Sequence, residues 1–374
     1  VSDLLVTTHT PLLGSGRALR TYGVARALAA AGDGLDLLYA RFDGDRPDQA
    51  FAAIGGVRMH AVEPTRGPAR ALAFLRARAR GVPTSIARGV VPELAAAAAR
   101  LAPATGGRVV ADGPVAAAAL MLLGGGTPFV YNAHNLESAG FRHEVDATGL
   151  GSPAALRRFE RRLLGRAQES WMVSELDLAG AAELCPQARL RYAPNVVDVD
   201  AIEPVEPDPG ARRALFVANF AYEPNRDGLA FLLAEVMPRV WEELPDATVA
   251  LAGGGLTESP GDPRVRVLGF VADLRSAYSG ASCALVPLRV GGGTPLKLIE
   301  GLAYALPVVA TPRAAAAVGA EDGSHCLVAG DGAGFAAAIV QLMTAGGREI
   351  GRGGRTLASE RYSIQTLTRL LASG

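Results

Sequence analysis

Lysine is almost missing from this chain. Of its 37 basic side chains one alone is lysine, Lys297, and the rest are arginine. A surplus of either charge is missing as well: 37 basic residues stand against 37 acidic ones, a formal net charge of zero. That balance excludes nucleic-acid binding driven by overall charge, because neutralising phosphates needs a clear basic excess. Cysteine is scarce. Cys185, Cys283 and Cys326 are odd in number, widely spaced and without a CxxC pair, so neither a disulfide framework nor a zinc site is encoded, and the expected compartment is reducing and cytoplasmic. Long hydrophobic runs are lacking too. The longest, residues 114–123, is about half of the roughly 20 residues a membrane-spanning helix requires. No charged region with a cleavage site opens the sequence, so no targeting or membrane-spanning segment is expected.

What remains is ample for globular structure. The 374 residues are 49% hydrophobic and 20% charged, enough apolar surface for two to three domains of about 150 residues. Short apolar runs alternate with longer helix-like stretches, the pattern of an α/β chain in which helices cover both faces of a parallel sheet. Strand candidates fall into two sets and therefore imply two sheets: 4–7, 35–39, 108–111, 129–132 and 171–174, then 215–218, 248–252, 265–268, 283–287, 308–311 and 326–328. Between the sets, residues 202–209 mix acids with prolines and show no apolar period, which reads as a linker. The expected domains are 1–200 and 211–355, joined by 201–210, with 356–374 as a terminal helix returning toward the first domain. Ala-rich stretches such as 94–101 are read as helices, alanine being the best helix former.

Three motifs could carry chemistry. A turn with Gly14, Ser15 and Gly16 follows the first strand and opens a helix with Val24, Ala27, Leu28 and Ala31 on one face. Its glycines let a ligand approach the backbone, and the helix start offers free N–H groups to an anion, although a plain tight turn fits equally. The second motif, residues 131–137 (YNAHNLE), places His134 just beyond the carboxyl end of a strand, where open α/β sheets bind ligands. A histidine there could meet a sugar hydroxyl or be satisfied structurally. The other histidines, His9, His60, His143 and His325, show no metal-ligand spacing.

The third motif is the most informative. After a strand ending at Pro287 come Arg289, the glycines Gly291, Gly292 and Gly293, then Thr294 as a predicted N-cap with Pro295 at the first helical position. Lys297 falls in the first helical turn and Glu300 three residues later, both on one face, with Leu298 and Leu302 facing the core. Free N–H groups, the positive end of the helix dipole, an ammonium and, as a further candidate, the Arg289 guanidinium suit a diphosphate, while Glu300 suits a vicinal diol such as ribose. Two further turns, Phe270 and Val271 ahead of a predicted N-cap at Asp273, and Gly253 to Gly255, either present backbone groups at the same edge or are ordinary strand-ending turns.

Taken together the chain resembles the two-domain GT-B glycosyltransferases, and within them retaining family 4. The likeness runs from the turn at Gly14 through VSELD (173–177) and PNVVD (194–198) to ERYS (360–363), and is most specific over 289–300. It implies two Rossmann-like doubly wound domains facing across a cleft, a nucleotide-sugar held mainly by the C-terminal one, and an acceptor held mainly by the N-terminal one. It further implies Glu300 on the ribose, Phe270 and Val271 near the base, Gly14 and Gly16 near the diphosphate, and His134 at the donor sugar. Catalytic roles then fall to His134, Lys297 and Arg289, with Gly292, Gly293 and Thr294 in the donor cradle and no cofactor or metal. Three departures stand out. Gly292 occupies a position that holds a glutamate in many members, Asn219 and Asn225 stand in place of an Arg and Lys pair, and Pro295 replaces a basic residue.

The acceptor implied is a natural product, a glycan or a lipid-linked molecule. Arginines cluster at 66–88 and again at 157–166; they either dock anionic lipid headgroups, giving peripheral membrane contact, or form solvated helix faces. Three competing readings remain: a sugar-nucleotide 2-epimerase, which would draw its acids from Glu137, Glu144 or Glu160; a non-catalytic nucleotide-binding module; and, less favoured without a GxGxxG turn, a nicotinamide dehydrogenase.

Overall fold

The computed structural model describes residues 1–42, 44–124, 126–140, 153–256 and 260–372. Its contacts divide the chain into two units, residues 1–195 with 367–374, and residues 196–366.

In the first unit seven parallel strands form one sheet: β1 (Ser2–Thr7), β2 (Leu35–Ala40), β3 (Val57–Val62), β4 (Gly106–Asp112), β5 (Val130–Asn132), β6 (Glu169–Met172) and β7 (Leu190–Tyr192). Their order across the sheet is β3-β2-β1-β4-β5-β6-β7. The central strands read as unbroken apolar runs because helices cover both faces: Leu4, Leu5, Leu37, Val110 and Ala111 are fully buried. Strands β3 and β7, which sequence reasoning missed, are the two edges. β3 reads VRMHAV and is only half-buried along its length, so it carries no continuous apolar run to find. The apolar stretch near 114–123 is the helix Gly113–Leu123, with most of its alanines buried in the core. Among the described residues no helix is long and apolar enough to cross a membrane.

The second unit repeats the plan with six parallel strands: β8 (Arg213–Val217), β9 (Thr248–Ala252), β10 (Val265–Gly269), β11 (Cys283–Val286), β12 (Val308–Ala310) and β13 (Leu327–Val328), in the order β10-β9-β8-β11-β12-β13. Both orders reverse direction beside the first strand of their unit, between β1 and β4 and between β8 and β11. Such reversal points open a crevice at the carboxyl ends of the strands. Everything singled out in the sequence as a donor or sugar contact lies on loops after these strands or on the helices they lead into.

The segment read as a linker is fastened to the second unit. Val205 is buried and donates its N–H to the Tyr304 carbonyl at 2.8 Å, and Asp208 donates to the Ala281 carbonyl at 3.1 Å. At the other end the helix Arg348–Tyr362 lies in the second unit, and only residues 367–374 join the first, where Arg108 and Arg191 donate to the carbonyls of Leu371 and Leu370 at 2.9 and 2.7 Å. Cys185, Cys283 and Cys326 are all buried thiols, and burial pushes Cys283 up to about 12.

Candidate functional site

In the second unit the glycine segment leaves β11 and turns into the helix Leu296–Ala303. Gly291 and Gly293 have φ of 105° and 72°, a region in which a Cβ is strained, so these two positions require glycine. The helix starts one residue later than predicted. Pro295, not Thr294, occupies the N-cap position, because its carbonyl is the first to accept helical bonds, from Leu298 at 2.9 Å and Ile299 at 3.4 Å. Pro295 has no side chain able to cap, so the first amides of the helix remain open to an anion. Thr294 is buried just upstream.

Leu298, Ile299 and Leu302 fix the helix by facing the core, each fully buried. Lys297 and Glu300 thereby fall on the opposite, half-buried side. The Lys297 ammonium donates to Asn225 Oδ1 at 2.8 Å, and Asn225 in turn donates through Nδ2 to the Asn219 carbonyl at 2.7 Å. Asn225, itself buried, is thus a fixed bracket for the lone lysine. The two asparagines that depart from the family pattern and the lone lysine are brought together. Burial holds Lys297 down at about 8, partly offset by the charge of Glu300, and burial raises Glu300 to about 7 against the pull of Lys297 and of a hydrogen bond from Tyr278. Tyr278 stacks on Tyr304 with ring centroids 4.2 Å apart, which fixes its hydroxyl at the carboxylate.

Arg289, expected to share the cradle, is committed elsewhere. Its guanidinium forms a two-pronged ion pair with Asp227 at 2.6 and 3.0 Å, lies 3.6 Å from Glu235 and covers the Phe231 ring. A different guanidinium reaches the glycine loop. Arg313, three residues beyond β12, donates through Nε to the Gly291 carbonyl at 2.7 Å and also through Nη2, and Thr311 donates to the Leu288 carbonyl at 2.5 Å. Neither residue was singled out in the sequence, and the only signal there was a Thr-Pro-Arg turn at the end of a strand. Phe270 stands 78% exposed after Gly269, with Val271 partly buried beside it, and Asp273 caps the next helix as predicted. Gly292 faces open space. Gly253 and Gly255 have a packing reason: a Cβ would stand 1.9 Å from the Ala218 carbonyl at the first and 2.3 Å from the Ala221 amide at the second, so both admit the loop after β8, whereas Gly254 faces open space.

In the first unit His134 does not act alone. Its Nε2 lies 2.9 Å from Oδ1 of Asp112, the last residue of β4, and its Nδ1 is buried with no hydrogen-bond partner among the described residues. Asp112 is buried and also accepts from Thr21 Oγ1 at 2.7 Å and Asn132 Nδ2 at 2.8 Å. Burial opposes its charge, but His134, Thr21 and Asn132 outweigh burial and hold it down at about 2. Behind them Arg20 is buried, donating to Asn132 Oδ1 at 2.5 Å and to the carbonyl of Ala193 and the side chain of Asn195. An aspartate that stays ionised against a histidine fixes the orientation of the ring. Gly113 makes room for this ring: it has φ of 81°, and a Cβ there would lie 2.9 Å from His134 Cε1.

Gly14 and Gly16 lie at the start of the helix Gly16–Ala31, which Ser15 caps through the Ala18 amide; Gly14 has φ of 121° and open space where a Cβ would be. Arg17 on the first turn donates to His9 Nε2 at 2.9 Å, and desolvation together with Arg17 lowers His9. Beside them a cavity of about 350 Å³ is lined by Phe42, Ile86, Val115 and Leu156 as well as His9, Arg17 and Arg70. Glu160 is spent structurally, accepting the amides of Glu137 and Ser138 at 2.8 and 3.0 Å. Glu144 and His143 lie outside the described residues.

Residues 211–345 match the family model described as glycosyl transferases group 1. The second unit therefore contains a stretch similar to the glycosyl transferases group 1 family. Solved structures of glycosyltransferases share the GT-B fold of the whole chain: sucrose-phosphate synthase from Thermosynechococcus elongatus (17% identity, 99% of this chain and 97% of that one, TM-score 0.73), Anabaena HepE in complex with UDP-glucose (15%, 100% and 98%, 0.69) and an S. aureus TarM mutant in complex with Fondaparinux, alpha-GlcNAc-glycerol and UDP (11%, 100% and 100%, 0.73). No curated protein sequence matches the chain significantly. The matched residues span the Asn219–Asn225 bracket, the glycine loop and the Lys297–Glu300 face.

Proposed function

We propose that the protein is a retaining glycosyltransferase that takes a sugar from a nucleoside diphosphate sugar and places it on a hydroxyl acceptor. One observation carries the reading: Lys297 is held by Asn225 at an uncapped helix start, with the Glu300 carboxylate one turn further along the same face. The cationic end suits the diphosphate and the carboxylate suits the ribose diol, with exposed Phe270 available to the base. As the glycosidic bond breaks, charge grows on the leaving diphosphate, and fixed N–H groups and the ammonium are oriented in advance to meet it. His134, backed by Asp112, contacts the donor sugar. Attack from the face of the departing phosphate, which takes the acceptor proton, retains the anomeric configuration, and no metal is required. The acceptor occupies the half-apolar cavity beside His9 and Arg17.

UDP, present in the HepE and TarM complexes, is the first nucleotide to try. Charge-assisted hydrogen bonds contribute about 1.5–3 kcal/mol, and tenfold in affinity is about 1.4 kcal/mol. Lys297→Ala is therefore expected to weaken UDP binding at least tenfold by calorimetry; unchanged affinity removes the lysine from the donor site. Incubation with UDP-sugars, followed by mass spectrometry, is expected to show slow release of free UDP. An isomerised sugar would assign an epimerase instead, and no reaction a binding module. NMR of the product bond tests retention.

A further inference from the structure

The helix Pro68–Ala79 turns its leucines outward. It buries two alanines, Ala73 and Ala77, with Phe74 partly buried against the core, whereas Leu72 and Leu75 are 46% and 60% exposed. At 100° per residue, Pro68, Leu72, Leu75 and Ala79 form one stripe pointing away from the core, and Arg76 and Arg78 flank it on either side. The helix of the second arginine cluster obeys the usual rule. That helix, Pro153–Arg166, buries Leu156, Phe159, Leu163 and Leu164 and leaves its arginines in water.

Charge is as lopsided as polarity. Residues 64–92 hold six arginines and no acid in a chain whose overall charge is zero. Arg78 and Arg80 donate to the backbone carbonyls of Val82 and Leu122, so these bonds leave their charge unneutralised. The fold also joins the two arginine clusters: Arg162 Nη1 lies 3.7 Å from where a Cβ on Gly81 would be, just past the end of the helix Pro68–Ala79.

We propose that this face docks on an anionic lipid bilayer, with Leu72 and Leu75 entering the headgroup and acyl boundary and the flanking arginines on lipid phosphates. An apolar stripe bordered by basic residues is what an interfacial helix presents to a membrane. A second copy of the chain would bring like charges together, and a nucleic acid would find no exposed aromatic ring on this helix to stack against. The surface lies in the first unit, apart in sequence from the donor residues, and does not depend on the assignment of a nucleotide.

The test is co-sedimentation of the full chain with vesicles of phosphatidylcholine, alone and with about one third phosphatidylglycerol. Binding at least tenfold stronger to the anionic vesicles, weakening with salt, is expected. The double variant Leu72→Ser/Leu75→Ser should lose at least tenfold and the variant Arg76→Glu severalfold, with melting temperature and UDP binding unchanged, since these side chains are exposed. Equal binding to both vesicles, no binding, or wild-type binding by the serine variant overturns the proposal. Dimers in light scattering that the serine variant dissolves would assign the face to a second copy and overturn it too, as would retention on duplex DNA stronger than on vesicles.

Discussion

Lys297 and Glu300 carry opposite penalties for standing in one half-buried place. Lys297 ionises at about 8, below the ordinary lysine range, so the cation that meets a diphosphate is present below that value and lost above it. UDP affinity is therefore expected to hold up to about pH 8 and fall beyond it, measurable by calorimetry across buffers, and the fall should vanish in Lys297→Ala. The same shifts bear on folding. Glu300, raised to about 7, adds stability in its protonated form below the unfolded value, and that stability is lost as pH rises through 7. Lys297, depressed, favours the fold when neutral, and that contribution is lost as pH falls through 8. Both costs are felt near neutral pH, so Lys297→Met/Glu300→Gln is expected to melt roughly 2–4 °C higher there while UDP binding collapses. At the other site Asp112→Asn removes the charge behind His134. A fall in kcat of roughly 10- to 100-fold with KM for the donor little changed is expected from steady-state kinetics.

At the scale of elements, both sites depend on how a strand hands over to the next segment of chain. β4 ends at Asp112 and Gly113, and the glycine's left-handed backbone leaves the space that the His134 ring fills. Gly113→Ala should therefore cost turnover by pushing the ring off Asp112, visible in the His134 imidazole signals by NMR, beyond the roughly 1 kcal/mol of a strained backbone. β11 hands over to the glycine loop, whose Gly291 carbonyl is pinned by Arg313. The helix Leu296–Ala303 was legible because its apolar residues repeat with helical period, and its start was misplaced by one residue because a proline suits either side of that boundary. The edge strand β3 was illegible for the opposite reason: with one side in water, VRMHAV has no run of buried residues to betray it.

At the scale of the molecule, two sheets were foreseen from the alternation of elements, whereas their strand order came from the structure. The chain's return to its first unit is short. Residues 367–374 supply Leu367 and Leu371, both buried, and carbonyls for Arg108 and Arg191. Burying two leucines contributes about 3–6 kcal/mol. A chain ending at Thr366 is expected to lose several degrees of melting temperature in calorimetry, and Leu371→Ala to account for part of that loss.

The sequence by itself determined what periodicity and covalent type can encode: an α/β chain with two parallel sheets, a glycine-led helix with Lys297 and Glu300 one turn apart, and a histidine beyond a strand end. Those features are local, fixed by residues within a turn or two of each other. Only the tertiary structure decided which groups meet across long stretches of chain. It gave Lys297 its bracket in Asn225, spent Arg289 on Asp227, brought Arg313 to the loop and set Asp112 behind His134. Each of those pairings joins residues at least 22 positions apart on different elements, so packing of the sheets, not any local pattern, determines them.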